Sequence, residues 1–172
     1  MATTTKGLYE MPTVYVETTI PSYLGAHPSR DLVMAAHQQI THDWWRNAHD
    51  RFDLYISEAV LNEIRGGDAD AAARRLEFIE GLPVLALNDD VRSLVHEYDQ
   101  RLHIPQRGRA DLPHFAFAVA YEMDYLVTWN CRHIANGEII RRLMHANAEL
   151  KRFTPLILTP EELLDIPEEE ES

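Results

Sequence analysis

RADLPHFAFAVAYEMDYLVTWNCRHI, residues 109–134, reads as a helix running into a strand. Asp111 and Pro113 mark the helix start, where a carboxylate can cap free backbone N–H groups and a proline forfeits no helical hydrogen bond. Across residues 112–121 nearly every side chain is apolar: Leu112, Phe115, Ala116, Phe117, Ala118, Val119 and Ala120. A helix that is apolar nearly all round is buried on several sides. Tyr125-Leu126-Val127-Thr128-Trp129 lacks polar alternation, as in a strand covered on both faces of a parallel sheet. Polar residues return at once in Asn130-Cys131-Arg132-His133. Ligands of open α/β sheets bind beyond the carboxyl ends of the strands. That cluster, with Asp111 and His114 on the preceding helix, is therefore a candidate site.

Outward from this stretch, Thr13, Val14, Tyr15 and Val16 predict a first strand closed by Glu17. Thr18, Thr19, Pro21 and Ser22 then turn the chain into a helix start. Ser29, Arg30 and Asp31 open a long helix to about His49, with Leu32, Val33, Ala36, Ile40, Trp44 and Trp45 near helical period. Leu54, Tyr55 and Ile56 form a second strand. Ser57 caps a helix carrying Glu58 and Glu63, which Gly66 and Gly67 stop. A helix over residues 68–80, a strand over 84–87 and a helix from Asn88 or Asp89 to about His103 follow. Residues 104–109 read as a loop. After the central helix and strand come a helix over 138–148, a strand over 155–158 and a short final helix from Thr159. Strands alternating with helices predict a parallel sheet with helices on both faces, an α/β three-layer domain. Residues 1–11 read as a flexible lead-in, 12–166 as the domain and 167–172 as a solvated acidic tail, with no internal repeat or linker.

The composition narrows the class. A chain of 172 residues suggests one domain with a sizeable core. No apolar run approaches the roughly 20 residues that span a membrane. MATTTKGLYEM lacks the apolar centre of a signal peptide, and Cys131 is the single cysteine. One cysteine excludes an internal disulfide and a multi-cysteine zinc site, and the expectation is a cytoplasmic protein. The net charge of −12 argues against broad nucleic-acid binding, which needs a basic footprint, but leaves room for a local basic rim.

Four positions share a pattern. Glu17 ends the first strand, Glu63 lies on the helix after the second, Asp111 starts a helix and Asn130 ends a later strand. If the first and fourth strands are adjacent, these ends converge. Three crowded carboxylates repel one another unless a cation holds them. Hard oxygen ligands suit Mg²⁺ or Mn²⁺, which can activate water in phosphodiester cleavage. Simpler roles exist for each residue. Asp111 serves equally well as a helix cap, Glu63 as a solvated helix residue and Asn130 as a turn residue. His114 and His133 fit structural roles, and Trp44 and Trp45 a core or a dimer contact. Glu17 is harder to dismiss, because an unpaired buried carboxylate is costly.

VYVETTIPSYL, SEAVLNEIRGGD, ADLPHFAFAVAYEMDYLVTWNCRHIAN and TPEELL together resemble the PIN-domain family, in particular its bacterial VapC-like group with a TWNCRHIAN motif. The resemblance spans roughly residues 13–165. It implies a compact α/β nuclease fold and Mg²⁺- or Mn²⁺-dependent RNA cleavage leaving a 5′-phosphate. The family's acidic positions fall on Glu17, Glu63 and Asp111, with Asn130 at the fourth. Two of these depart from the commonest pattern: Glu17 replaces an Asp, and Asn130 often stands as Asp. Both are usual within the ETTIPSYL and TWNCRHIAN branch. Pro113 departs as well, in place of a helix-favouring apolar residue.

The resemblance further implies that Thr18 and Ser22 bind phosphate or a ligating carboxylate, turn capping being their equal alternative. Arg132 and His133 would border the scissile phosphate, with Arg107 and Arg109 extending the rim. The implied partners are RNA, an antitoxin protein and a second copy of the chain, the dimer being suggested also by the apolar excess of Trp44, Trp45 and Phe78. The alternative from another class is a non-catalytic PIN-like binding module. A phosphatase is disfavoured, because no Asp-x-Asp follows the first strand and no Gly-rich phosphate loop is present.

Overall fold

The computed structural model describes residues 10–166. The expected lead-in therefore falls inside it only at residues 10 and 11, and the acidic tail over 167–172 lies outside the described residues.

Five strands, β1 (Thr13–Val16), β2 (Asp53–Ser57), β3 (Val84–Leu85), β4 (Tyr125–Val127) and β5 (Leu156–Leu158), form one sheet in the order β3-β2-β1-β4-β5. Every pairing is parallel. Val16 pairs with Val127, so Glu17 and Thr128 emerge side by side at the carboxyl edge. The chain runs outward from β1 to β3, then returns to lay β4 on the other side of β1. The gap above β1 and β4 is thus the topological switch point, where such sheets bind ligands.

The strands are covered by α1 (Thr19–Gly25), α2 (Leu32–Arg51), α3 (Glu58–Arg65), α4 (Ala69–Ile79), α5 (Asp89–Arg101), α6 (Leu112–Ala120), α7 (Gly137–Leu150) and α8 (Pro160–Leu164). Val14, Tyr15 and Val16 are all fully buried. Successive strand residues point to opposite faces, so both faces of β1 are covered. The Tyr15 face meets α6, where its ring stacks near Phe117. Most helices start where polar caps foretell. Asp31, Ser57, Asp68 and Asn88 accept the N–H of Met34, Val60, Ala71 and Val91, and Thr159 with Glu162 forms a capping box. Among the described residues, no helix is long and apolar enough to cross a membrane.

Two expectations need correction. Residues 106–111 are not a loop but a 3-10 helix, Gln106–Asp111, that runs straight into α6. Its backbone occupies positions that a side-chain cap would otherwise fill, and Asp111 makes no capping hydrogen bond. Strands β3 and β4 stop at Leu85 and Val127, short of Leu87 and Trp129. Beyond Val127 the backbone turns so that Trp129 N–H can donate to Thr19 Oγ1. Of the two roles expected for the aromatic residues of this region, the core is where they lie: Trp44 is buried, and Trp45 and Phe78 are partly buried against it. The exposed apolar side chains of this region are instead Leu32, Val33 and Met34, at the start of α2.

Candidate metal centre at the switch point

Glu17 is a carboxylate at 2% exposure directly after an apolar strand. Burying it costs free energy unless donors satisfy it. They do so on one oxygen. Oε2 accepts from Thr19 N–H at 3.0 Å, from the Thr19 hydroxyl at 2.5 Å and from the Thr128 hydroxyl at 2.8 Å. These three donors fix the carboxylate plane and leave Oε1 turned toward His114 Nε2, 3.9 Å away.

Glu63 projects from α3, and its side chain keeps 39% of its exposure. Its Oε1 lies 2.9 Å from His114 Nε2. Burial pushes this carboxyl up, but the hydrogen bond and charge of His114 outweigh that and hold it below the usual carboxylate value. An ionised carboxylate only accepts hydrogen bonds, so Nε2 carries the proton. His114 itself is fully buried on α6. Burial disfavours its cationic form, yet the bond to Glu63 and the charges of Glu17, Glu63 and Asp111 raise its pKa overall. One ligating atom from each of Glu17, Glu63 and His114 lies within 4.8 Å of the other two.

Beside them, the Thr18 hydroxyl is buried without a hydrogen-bond partner. It lies close enough to the Glu63 carboxyl to help lower its pKa, short of a hydrogen bond of ordinary geometry. Asp111 stands one position further out. Its charge reaches His114, while its Oδ2 is 3.0 Å from His133 Nδ1. Asn130 does not join the close group. Its Oδ1 accepts the His133 N–H at 3.0 Å and closes the turn after β4. Gly108 makes that corner possible, because a Cβ there would lie 2.9 Å from His133 Cγ and 2.6 Å from Ile104 Cγ2.

Of the remaining sequence candidates, Ser22 is partly buried on α1, and Arg107 and Arg132 are exposed. Arg109 is paired with Asp99 at 3.1 Å. Reasoning from the sequence missed two contributors, and one pairing of a residue it had placed at the site. Thr19 and Thr128 are carboxylate donors, and His114 is a direct partner of Glu63. The hydroxyls that follow Glu17 in ETT, and the Thr at the matching end of the fourth strand, are the signal for the first two. No local signal pairs His114 with Glu63, 51 residues away.

No family model matches the sequence, and no curated protein matches it. Solved structures do match in shape. One is VapBC2 from Rickettsia felis, bound to a DNA fragment from its promoter, at TM-score 0.55 and 15% identity over 86% of this chain and 98% of that one. Another is VapC20 from Mycobacterium tuberculosis, a sarcin-ricin-loop-cleaving toxin, at TM-score 0.53 and 18% identity over 73% and 95% of the two chains. With the parallel five-stranded sheet of order β3-β2-β1-β4-β5, these likenesses show that the chain shares the fold of the VapBC2 and VapC20 structures.

Proposed function

We propose that this chain is a metal-dependent endoribonuclease that hydrolyses RNA phosphodiester bonds, acting as the toxin of a toxin–antitoxin pair. The observation that carries this reading is the convergence of Glu17, Glu63 and His114 within 4.8 Å at the switch point of the sheet. The residues fit a divalent cation. Two carboxylates supply hard oxygen atoms of the kind Mg²⁺ and Mn²⁺ prefer. The unpartnered Thr18 hydroxyl faces the same space with a further oxygen.

Glu17 Oε1, Glu63 and Asp111 would hold the ion, directly or through water. When bound, such an ion neutralises phosphate charge and acidifies water for attack. The side chains around it have distinct tasks. Thr19 and Thr128 lock Glu17 in one orientation. Asn130 holds the backbone of His133, whose ring stays on Asp111 at the edge of the pocket. Arg132 and Arg107, both exposed, supply local positive charge for an RNA backbone that the overall balance of the chain does not attract. In this reading Thr18, at the N-cap of α1, and Ser22, within α1, would contact the phosphate of the substrate. A homodimer and an antitoxin partner belong to the same reading.

A non-catalytic PIN-like module is favoured by one observation: Asn130 uses its oxygen on His133 and Asp111 stands outside the close group, leaving few free charges. Incubating the purified protein with mixed RNA substrates in Mn²⁺, Mg²⁺ or EDTA separates the two. Cleavage in metal that EDTA abolishes supports the nuclease; intact RNA in every condition, with no metal-dependent stabilisation, supports the module.

A further inference from the structure

Glu63 is the most exposed of the clustered groups, and an exposed helix carboxylate ordinarily samples several rotamers. Here it is tied at the end of a chain of hydrogen bonds. His114 Nε2–H donates to Glu63 Oε1 at 2.9 Å. The other ring nitrogen, Nδ1, lies 2.8 Å from the Tyr15 hydroxyl. That hydroxyl is 2.7 Å from Ser57 Oγ, and Ser57 Oγ accepts the Val60 N–H that starts α3. The path runs from the first turn of α3 through β1 and α6 and back to Glu63 on α3. Tyr15, Ser57 and His114 are all fully buried.

We infer that His114 is a positioning residue for the metal centre: its ring, oriented by Tyr15, holds the Glu63 carboxylate opposite Glu17. This rests on the reading that these carboxylates hold a divalent cation. Three features support it over simple filling of the core. Glu63 keeps 39% of its side-chain exposure, so water as well as His114 solvates its charge. The neighbours of His114 on α6, namely Leu112, Phe115 and Phe117, are apolar, and an apolar side chain would pack among them at less desolvation cost. Both ring nitrogens are committed to elements that build the site, Nδ1 to the Tyr15 hydroxyl and Nε2 to Glu63, which fixes the ring plane. Hydrogen bonds to ligating groups from outside the ligand set are worth about 10- to 100-fold in metal affinity.

The test uses the full chain after chelator treatment, titrated with Mn²⁺ alone and followed by calorimetry and by the rise in Tm. His114→Asn keeps an amide near Nδ1 and loses the reach to Glu63; His114→Gln places its amide near Nε2. The Asn variant is expected to bind Mn²⁺ about 10- to 100-fold more weakly, and the Gln variant within a few fold of the parent. In a Glu63→Gln background, His114→Asn should cause little further loss, because it acts through Glu63. Parent-like affinity in the Asn variant, equal losses in Asn and Gln, or full additivity with Glu63→Gln would each overturn the assignment. If His114→Asn does not fold, Tyr15→Phe carries the test: it removes one oxygen and should weaken Mn²⁺ binding several-fold, and unchanged affinity would overturn the assignment. Glu17→Gln is the control for the underlying reading. If it loses Mn²⁺ binding while His114→Asn does not, positioning alone fails; if the parent binds no Mn²⁺, the metal centre fails and the positioning role with it.

Discussion

The ring of His133 and the carboxylate of Asp111 meet at 3.0 Å, tying the turn after β4 to the last residue of the 3-10 helix. Neither belongs to the tight group of Glu17, Glu63 and His114, yet the charge of Asp111 reaches His114. The contact depends on a bare backbone at Gly108, which sits against the same imidazole.

Gly108→Ala should therefore act on the site through His133. The added methyl meets His133 Cγ at 2.9 Å and Ile104 Cγ2 at 2.6 Å. Overpacking of this kind costs about 1–3 kcal/mol. Urea denaturation should show that loss, and the His133 imidazole resonances should move. Unchanged stability with an unperturbed His133 would mean that the corner yields freely.

Asp111→Asn separates charge from structure. The side chain caps nothing, and Asn can still accept from His133 Nδ1–H. The fold should hold, with Tm within about 4 °C of the parent. Metal-dependent RNA cleavage should fall by about 100-fold or more, comparable to the loss of one preorganised charge-stabilising group. Parent-like cleavage would remove Asp111 from the site.

The Glu63–His114 pair gives the metal-free protein a pH signature. Glu63 titrates below its ordinary value of 4.5, so its contribution is complete above that value and is lost as pH falls through the folded value. His114 titrates above its ordinary value of 6.5, so its contribution is complete below that value and is lost as pH rises through the folded value. Both are in force between the two ordinary values. The stability advantage of the parent over His114→Gln should therefore be largest near about pH 5.5 and shrink as pH rises through the folded value of His114. A flat difference across that range, measured by urea unfolding without metal, would contradict the pairing.

Much of this was legible in the residues themselves. The apolar run before Glu17 and the polar burst after Trp129 place two strand ends at one edge, and parallel pairing of β1 with β4 makes them neighbours. The caps at Asp31, Ser57, Asp68 and Asn88 are local chemistry, visible within four residues. What stayed hidden is non-local or geometrically marginal. The Pro105 carbonyl accepts the Gly108 N–H at 2.7 Å, starting a 3-10 run that a Pro- and Gly-bearing stretch disguises as a loop. Asp111 looked like a cap because its position is right; the preceding helical turn removed the need. The bond between His114 and Glu63 depends on how α6 and α3 sit across β1, which no short pattern encodes.

The central claim is that Glu17 helps hold a catalytic cation, and the rate of cleavage of a fluorescent single-stranded RNA by parent, Glu17→Gln and Glu17→Asp, each in Mg²⁺ and in Mn²⁺, tests it most directly. The Gln variant keeps the size and an oxygen for Thr19 and Thr128 but loses the charge, and should lose cleavage in both metals. The Asp variant keeps the charge and shortens the reach by roughly 1.5 Å. It should retain partial activity, with the larger loss in Mg²⁺, whose coordination geometry is the stricter. Parent-like rates for Glu17→Gln in either metal would contradict the account.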